Sequence, residues 1–587
     1  MLSETSHRRR AVLSGAAGAL VATSGCLGNV RNLAGRDRIA QLSLSIATLP
    51  ASEDPYAVRI ANRLAENLEE SGIDTLIDPI RPDVLFRDVL INHDFDIYIS
   101  RYPSEGGPDE LRSMLYSTYT EESGWQNPFG FSNLALDDLL DEQRAVEEDE
   151  RIRVIQDIQH EILREQPFTV VCFPDYVGAV RNERFEGWPR GGLKEPTDYL
   201  QLDRVGEETT LQLLLRNDRI TRNRNPIAAE YRDQGNLIEL LYDPLVRNPA
   251  DALEPIKWLA ESVSWDTTGR LSAIITMREN AWHDGVPVTA DDVAFTYEFL
   301  QDTSLREFDT PVPTPWRRGR LSLIESVDVL DDRRLRIRFT TTNRSIAYRP
   351  LTVPILPEHV WRERTGPADI AGIDFIGGTT EALVDPNEES IGCGPFQFVD
   401  AVTDESLSLE AFEDHFLYRG HDDGIPDRLT GPLSFDRLEF TIMPSHDAAV
   451  QILENGGADA IADGLQASVV PRIVRTNGLS LRVRTVDSFY HVGYNCRRAP
   501  LTDPNFRRAI ARHVDRETIV SESLGSYGSP SEVPMKGRWV PEELRWGGEA
   551  TLPYFGSDGD FDGAAARKAF RDAGYQYDGD QLARRGE

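Results

Sequence analysis

At 587 residues the chain is too long for a single hydrophobic core, so about two to four domains are expected. A 40% hydrophobic and 9% aromatic composition excludes a disordered chain. With 97 acidic against 63 basic residues the net charge is −34, which excludes nucleic acid as a partner, because phosphate binding needs a basic surface.

The N-terminus opens with a basic patch, His7-Arg8-Arg9-Arg10, followed by a small apolar run from Ala11 to Gly25. About fifteen such residues are too few for a membrane-spanning helix and suit the apolar region of an export signal. Arg9-Arg10-Ala11-Val12-Leu13 resembles a twin-arginine signal. Thr23-Ser24-Gly25-Cys26 resembles a lipobox, with Thr23 departing from the usual leucine, and implies lipid attachment at Cys26 on the extracellular face of the membrane. Residues 27–40 are polar and glycine-dotted, a tether reaching about 45–50 Å when extended. No other apolar run approaches about 18 residues. Lys194, Lys257, Lys536 and Lys568 are the only lysines in this acidic, arginine-using chain. That composition resembles haloarchaeal proteins, in which brine screens the self-repulsion. Cys172, Cys393 and Cys496 are scattered singly, which fits buried apolar residues and neither a disulfide framework nor a zinc cluster.

The first folded block starts with the alternating strand Leu42, Leu44, Ile46. Asp54-Pro55 predicts a helix start, with Ala57, Ile60, Ala61, Leu64 and Leu68 on one face and Gly72 as the stop. A strand at Phe95–Ile99, helices around Leu134–Ala145 and Arg151–Arg164, and an apolar strand at Phe168–Phe173 complete an α/β block with a mainly parallel sheet. The second block brings a strand at Leu211–Leu215 and a helix from Ile227 to Leu241. Strands follow at Leu271–Met277, Val327–Leu330 and Leu335–Phe339. Thr289-Ala290-Asp291-Asp292 predicts a capped helix, and Asp503-Pro504 another.

Several motifs of the second block keep a recognisable order: Leu241-Tyr242-Asp243-Pro244-Leu245-Val246, Trp258-Leu259-Ala260-Glu261-Ser262, Trp282-His283-Asp284-Gly285, Ile355-Leu356-Pro357-Glu358-His359-Val360-Trp361, Gly392-Cys393-Gly394-Pro395-Phe396, Tyr494-Asn495 and Arg507-Arg508-Ala509-Ile510. Together they resemble the extracellular solute-binding proteins of ABC importers, family 5, the peptide- and nickel-binding type. The first block is similar to the late part of the same family: Phe95-Asp96-Ile97-Tyr98, then Gly130-Phe131-Ser132-Asn133 leading to Leu136-Asp137-Asp138-Leu139-Leu140. The resemblance therefore implies a two-lobed α/β fold of the periplasmic-binding-protein type II, in its large form with an extra subdomain, circularly permuted. A fused pair of incomplete modules is the alternative arrangement. The implied organisation is an export signal at 1–26, a tether at 27–40, and a C-terminal-type lobe of 41–170 plus 500–587. An N-terminal-type lobe of 171–499 would hold an inserted subdomain at about 245–388.

No phosphate loop, His-Glu-x-x-His zinc motif or Gly-x-Ser-x-Gly elbow is present in the sequence. His283-Asp284 is expected to be a turn, since Asp284-Gly285 is a turn pair. His491 falls within a predicted strand, as a core histidine or a cleft ligand. The resemblance places a ligand cleft between the lobes, where strands cross near Phe168–Phe173 and Phe489–Asn495, and makes Tyr490, Tyr494, Asn495 and Phe396 candidate lining residues. Peptide-binding relatives carry a Trp and an Asp after the strand equivalent to Phe95–Ile99. Here Arg101, Tyr102 and Glu105 stand in that segment, Glu105 able to supply an anion and Arg101 favouring an anionic ligand. The expected function is a monomeric, lipid-anchored receptor without cofactor or metal, handing a peptide-like solute to an ABC permease. A secreted hydrolase with paired carboxylates and a sensory receptor of the same fold are the alternatives.

Overall fold

The computed structural model describes residues 41–583, apart from 105, 229–234, 249–253, 369–378, 421–423 and 549. The export signal, Cys26, the tether and Glu105 lie outside the described residues. The chain enters on β1 (Ser43–Thr48), whose alternation buries Leu44 and Ile46. In α1 (Pro55–Glu70) Asp54 Oδ1 accepts the N–H groups of Tyr56 and Ala57 at 3.1 and 3.0 Å, and Pro55 fixes φ in the first turn. β2 (Asp74–Pro79) and β3 (Ile97–Tyr102) both pair parallel with β1. Three helices follow: α2 (Glu110–Leu115), α3 (Leu134–Glu142), capped by Asn133, and α4 (Glu148–Glu165). The chain then runs into the fourteen-residue strand β4 (Phe168–Arg181).

After the short α5 (Pro196–Leu200), β5 (Thr210–Leu215) starts the second half of the main sheet. A separate antiparallel sheet of β6 (Ala260–Asp266), β7 (Ser272–Met277), β8 (Ile324–Asp331) and β9 (Arg334–Phe339) follows, in the order β6-β7-β9-β8. It carries α6 (Ala290–Gln301), where the Asp292 carboxylate accepts the N–H and hydroxyl of Thr289 at 2.8 and 3.0 Å, and the single turn α7 (Arg318–Leu321). β10 (Phe396–Val402), β11 (Ser406–Ala411), β12 (Arg437–Ile442), α8 (His446–Glu454), β13 (Ala460–Ile461) and α9 (Val470–Arg475) complete this half. β14 (Leu479–Thr485) and β15 (Phe489–Tyr494) then run back along β4. The last part holds α10 (Pro504–Ala511), capped by Asp503, β16 (Gly528–Pro530) and α11 (Gly563–Asp572).

Twelve strands form one sheet in the order β10-β11-β12-β5-β13-β4-β15-β3-β1-β2, with β14 and β16 also on β4. Only β1–β2, β1–β3, β12–β5 and β13–β5 are parallel, so the expected mainly parallel sheet is corrected to a mixed one. The chain returns along β4 in the opposite direction, so β14 and β15 both pair antiparallel with it. The helix expected over Ile227–Leu241 is likewise corrected: among the described residues only the turn Gly235–Ile238 is helical. The carbonyls of Leu240 and Leu241 are diverted to the N–H groups of Phe396 and Gly394, at 3.1 and 2.8 Å.

Each half of the main sheet is packed on two faces. One half buries Leu44, Ile60, Leu64 and Phe506 on one side, and Leu111, Phe129, Ile155 and Phe168 on the other. The second half shares a large core with the inserted subdomain, while α8 and α9 close its far face around Val450, Leu453 and Ile473. The two ends of the described chain meet in the first half: Leu42 N–H donates to Leu582 O at 2.8 Å and Leu582 N–H to Gly72 O at 2.8 Å. Gly72 is required there, since its φ is +89° and a Cβ would sit 2.0 Å from Asp580 O. Cys172 and Cys393 are buried and Cys496 half-buried, all three as free thiols.

His491, on β15, is fully buried in a box of rings from Tyr98, Tyr102, Phe129, Phe168 and Phe489, with centroids 5.0–6.1 Å away. Its Nε2 is 2.9 Å from the Tyr98 hydroxyl. Burial lowers its pKa to about 3, so the folded protein holds it neutral. Between pH 6.5 and 3 the unfolded chain therefore binds the proton that the folded chain refuses, and stability falls as pH falls. Replacing this ring by His491→Phe removes that pH dependence. Denaturant unfolding of both proteins should show the wild type losing up to about 1.4 kcal/mol per pH unit relative to the variant across that window.

Candidate functional site

The two halves of the main sheet are lobes joined through β4. Residues 168–172 of β4 pair with β15 in one lobe, and residues 175–181 pair with β14 in the other. β14 and β15 are two stretches of one returning strand, interrupted at Val486–Ser488. Lys536 holds this interruption: its Nζ donates to Val486 O at 2.5 Å, lies 3.3 Å from Asp487 and sits 4.7 Å over the Phe173 ring.

The lobes touch on either side of the crossover. On one side Ala467 N–H donates to Tyr56 Oη at 3.1 Å and Arg216 donates to Ser52 O at 2.5 Å, while within the first lobe Tyr490 hydroxyl donates to Asp54 Oδ1 at 3.0 Å. Asp54 thus caps α1 and receives the Tyr490 hydroxyl; burial raises its pKa against those bonds and the charge of Arg101. On the other side the inserted subdomain meets α2 and α3. Arg144 forks onto Asp109 at 2.5 and 2.8 Å, and also donates to Ser322 Oγ and Gly319 O, each at 3.1 Å. Arg349 donates to Gly106 O at 3.1 Å. A small cleft of about 30 Å³, open to solvent, lies at this second contact. Trp125 and Trp316 are among its walls, with Asp109, Arg317, Arg320 and Arg349.

Between the two contacts, beside the crossover, Tyr176 on β4 faces Arg484 directly across from it on β14. The Tyr176 hydroxyl donates to Leu193 O at 3.3 Å and Asp463 O at 3.4 Å. The loop before α5 folds over this pair, and a Cβ on Gly191 would come within 2.3 Å of Arg484 Cδ. Lys194 and Glu195 end that loop. The Asp198 carboxylate accepts the N–H groups of both at 2.8 Å and so fixes their backbone. Burial, reinforced by Asp198, raises Glu195 to about 7. Burial likewise raises Asp463 to about 6 against its bonds from Arg216. Lys194 is lowered by burial and then by the charges of Arg484 and Arg101. The arrangement is a polar cluster of alternating charge, and a chamber between the lobes at this point would suit a small polar solute.

Among the residues anticipated from sequence, Tyr490 and Arg101 are cross-strand partners beside this cluster. Tyr102 is fully buried and stacks on Phe489 at 5.5 Å. Tyr494 is fully buried, its hydroxyl 2.6 Å from Thr169 Oγ1. Asn495 is buried too and donates to His93 O and Phe95 O at 3.0 and 2.8 Å. Phe396 stacks on Phe435 at 6.1 Å in the core of the other lobe. Lys194, Glu195, Arg484, Tyr176 and Asp463 were not anticipated; the one sequence signal available was the rarity of lysine. His283 clips the Gly392–Gly394 turn, with Nδ1 accepting Gly392 N–H at 3.2 Å and Nε2 lying 3.1 Å from Gly394 O. Among the described residues no group of three or more His, Cys, Asp or Glu side chains is arranged to hold a metal, and no helix is long and apolar enough to cross a membrane.

Residues 254–586, more than half of the chain, match the family model described as bacterial extracellular solute-binding proteins, family 5 Middle. The oligopeptide-binding protein AppA of Bacillus subtilis is 24% identical over 285 residues, 47% of this chain and 45% of its own. The probable peptide-binding protein YejA of Agrobacterium fabrum is 24% identical over 353 residues, 56% of this chain and 52% of its own. The chain thus spans about half the length of the curated relatives it matches. Among solved structures, Bacillus subtilis AppA in complex with a nonapeptide matches with a TM-score of 0.49 at 21% identity, covering 65% of this chain and 68% of that one. NikZ from Campylobacter jejuni in complex with Ni(L-His) matches with a TM-score of 0.45 at 20% identity, covering 65% and 66%.

The buried Asp109–Arg144 pair yields a test. Burial alone would raise the Asp109 carboxyl, but the charge and fork of Arg144, with Arg349, hold it well below the usual carboxylate range. A depressed pKa contributes stability above the unfolded value near 3.9, lost as pH falls below it. Asp109→Asn strands a buried guanidinium, so thermal unfolding at pH 7 should show a loss of about 3–5 kcal/mol. The gap between variant and wild type should narrow on acidification below about pH 4.

Proposed function

As this chain belongs to the family 5 extracellular solute-binding proteins, we propose that it is the capture receptor of an ABC importer, enclosing a peptide-like or other small solute between its lobes and handing it to a membrane permease. The observation that carries this reading is the pair of lobes joined by β4 and the β14–β15 return, with a polar cluster beside the crossover. Two strands crossing at one place allow the lobes to rock by changes at Pro174–Asp175 and Val486–Ser488, opening and closing the chamber. A ligand that binds the closed form better shifts the balance toward it, and the permease would sense that state. The names of the curated relatives, oligopeptide- and peptide-binding, support a peptide-like solute. The twin-arginine-like start and Cys26 support a lipid anchor on the extracellular face, and the surplus of acid supports life in brine.

The same reading includes the lobes as 41–170 plus 500–587 and 171–499, with the returning strand β15 packed in the first lobe, and a circular permutation relative to the family. The contact of Leu42 with Leu582 supports the permutation. So does the matched length of about half of each relative, because a collinear comparison follows only one of two transposed parts.

Two experiments test these points. Titrating the purified protein with its solute should raise the melting temperature by mass action, with no chemical change in the solute by mass spectrometry. Solute turnover at enzymatic rates would refute the receptor. A re-permuted chain, with residue 583 joined to 41 by a short linker and new ends at the exposed Gly206, should fold and bind with wild-type affinity. Failure of that chain to fold would refute the permutation.

A further inference from the structure

Arg484 and Lys194 stand out in a chain with a net charge of −34, where a cation is surrounded by a surplus of carboxylates. Arg181, Arg184 and Lys536, which flank the same strands, each hold a carboxylate, on Glu183, Asp459 and Asp487 respectively. Among the described residues neither Arg484 nor Lys194 makes an ion pair, and Arg484 Nη2 is buried without a hydrogen-bond partner. An orphaned guanidinium N–H costs free energy that a ligand oxygen would recover. The neighbouring acids are otherwise engaged. The Asp198 carboxylate accepts the N–H groups of its own turn, and Asp487 is paired with Lys536. Glu195 is raised to about 7, so near neutral pH much of it is uncharged. Arg101, reaching in from the other lobe, adds to the positive field on Lys194. A planar fork beside an ammonium is the side-chain set that recognises a carboxylate or another oxyanion.

We propose that Arg484 and Lys194 form an anion subsite in the chamber, so that the captured solute is one that presents a carboxylate or similar oxyanion to the crossover between the lobes. The inference rests on the solute-receptor reading and adds to it the chemical class of the ligand. It also assigns the loop from Gly191 to Glu195 a role: Gly191 lets the loop lie on Arg484 and deliver Lys194 beside it.

The test uses the whole protein and a deproteinised yeast extract split on an anion-exchange resin at about pH 10, where α-amines are neutral and a carboxylate-bearing solute is held, into retained and unretained fractions. The retained fraction should raise the melting temperature of the wild type and of Lys568→Met, a control at an exposed pair with Asp572. It should act at least tenfold more weakly on Arg484→Gln and Lys194→Met, both of which should melt normally without ligand. Glu195 faces Asp198, Arg484, Lys194 and Glu239, so the wild-type response should strengthen as pH falls from 8 to 6 and become flatter in Glu195→Gln. A response confined to the unretained fraction, or one unchanged in both cation variants, overturns the anion subsite and leaves the receptor reading standing. Silence of both fractions on folded protein counts against both.

Discussion

The structure depends on one strand serving two lobes. β4 contributes its first residues to a ladder with β15 and its last to a ladder with β14, so a single run of backbone is hydrogen-bonded into both cores. Its apolar side chains are buried along most of its length, from Phe168 to Pro174 and again from Val177 to Val180. This forces the returning strand to follow it, because an unpaired buried edge would leave backbone groups unsatisfied. The polar side chains gathered beside it are Tyr176 and Arg484 on one pair of strands and Arg101 and Tyr490 on the other.

The preference for arginine has a structural meaning beyond charge. Arg507 donates to the carbonyls of Glu165, Gln166 and Leu501, tying α10 to the end of α4. Arg516 likewise bridges Val170 O and Ser531 O, and Arg224 reaches Ile220 O, Thr221 O and Glu388 O. Each is buried, and each uses the planar fork to satisfy several carbonyls at once, which a lysine ammonium on a flexible stem does poorly.

Much of the local structure was legible because caps and alternation are short-range signals. Asp54, Thr289 and Asp503 each mark the helix start they were expected to mark. The sheet's mixed direction was not legible, because it depends on where β14 and β15 return, and no local residue pattern encodes that. The polar cluster was legible only in part. Tyr490 sits on a strand whose crossing the family resemblance implied and Arg101 in the segment after the matched strand Phe95–Ile99, whereas Arg484 and Lys194 are far apart in sequence and are brought together because β14 pairs with β4 and a glycine loop folds onto it. Tyr494 and Asn495 satisfy their polar groups within their own lobe, a distinction between core and lining that alternation along a strand does not make.

The first lobe draws its core from both ends of the described chain. Leu42 and Leu44 come from one end, Phe570, Tyr575 and Leu582 from the other, and they pack with Phe506 and Ile510 into a single cluster. Bringing these ends together closes a loop on the order of 500 residues, which costs about 3–4 kcal/mol more than closing one of about ten. Burying side chains of this size contributes roughly 1.5–3 kcal/mol each, so the Leu42, Phe570 and Leu582 contacts together outweigh that cost. The join is tightened by Arg567 on Glu70 O and by the Tyr577 hydroxyl on Ser71 O at 2.9 Å. A lobe assembled this way completes its core only when Leu42 and Leu582 are both in place.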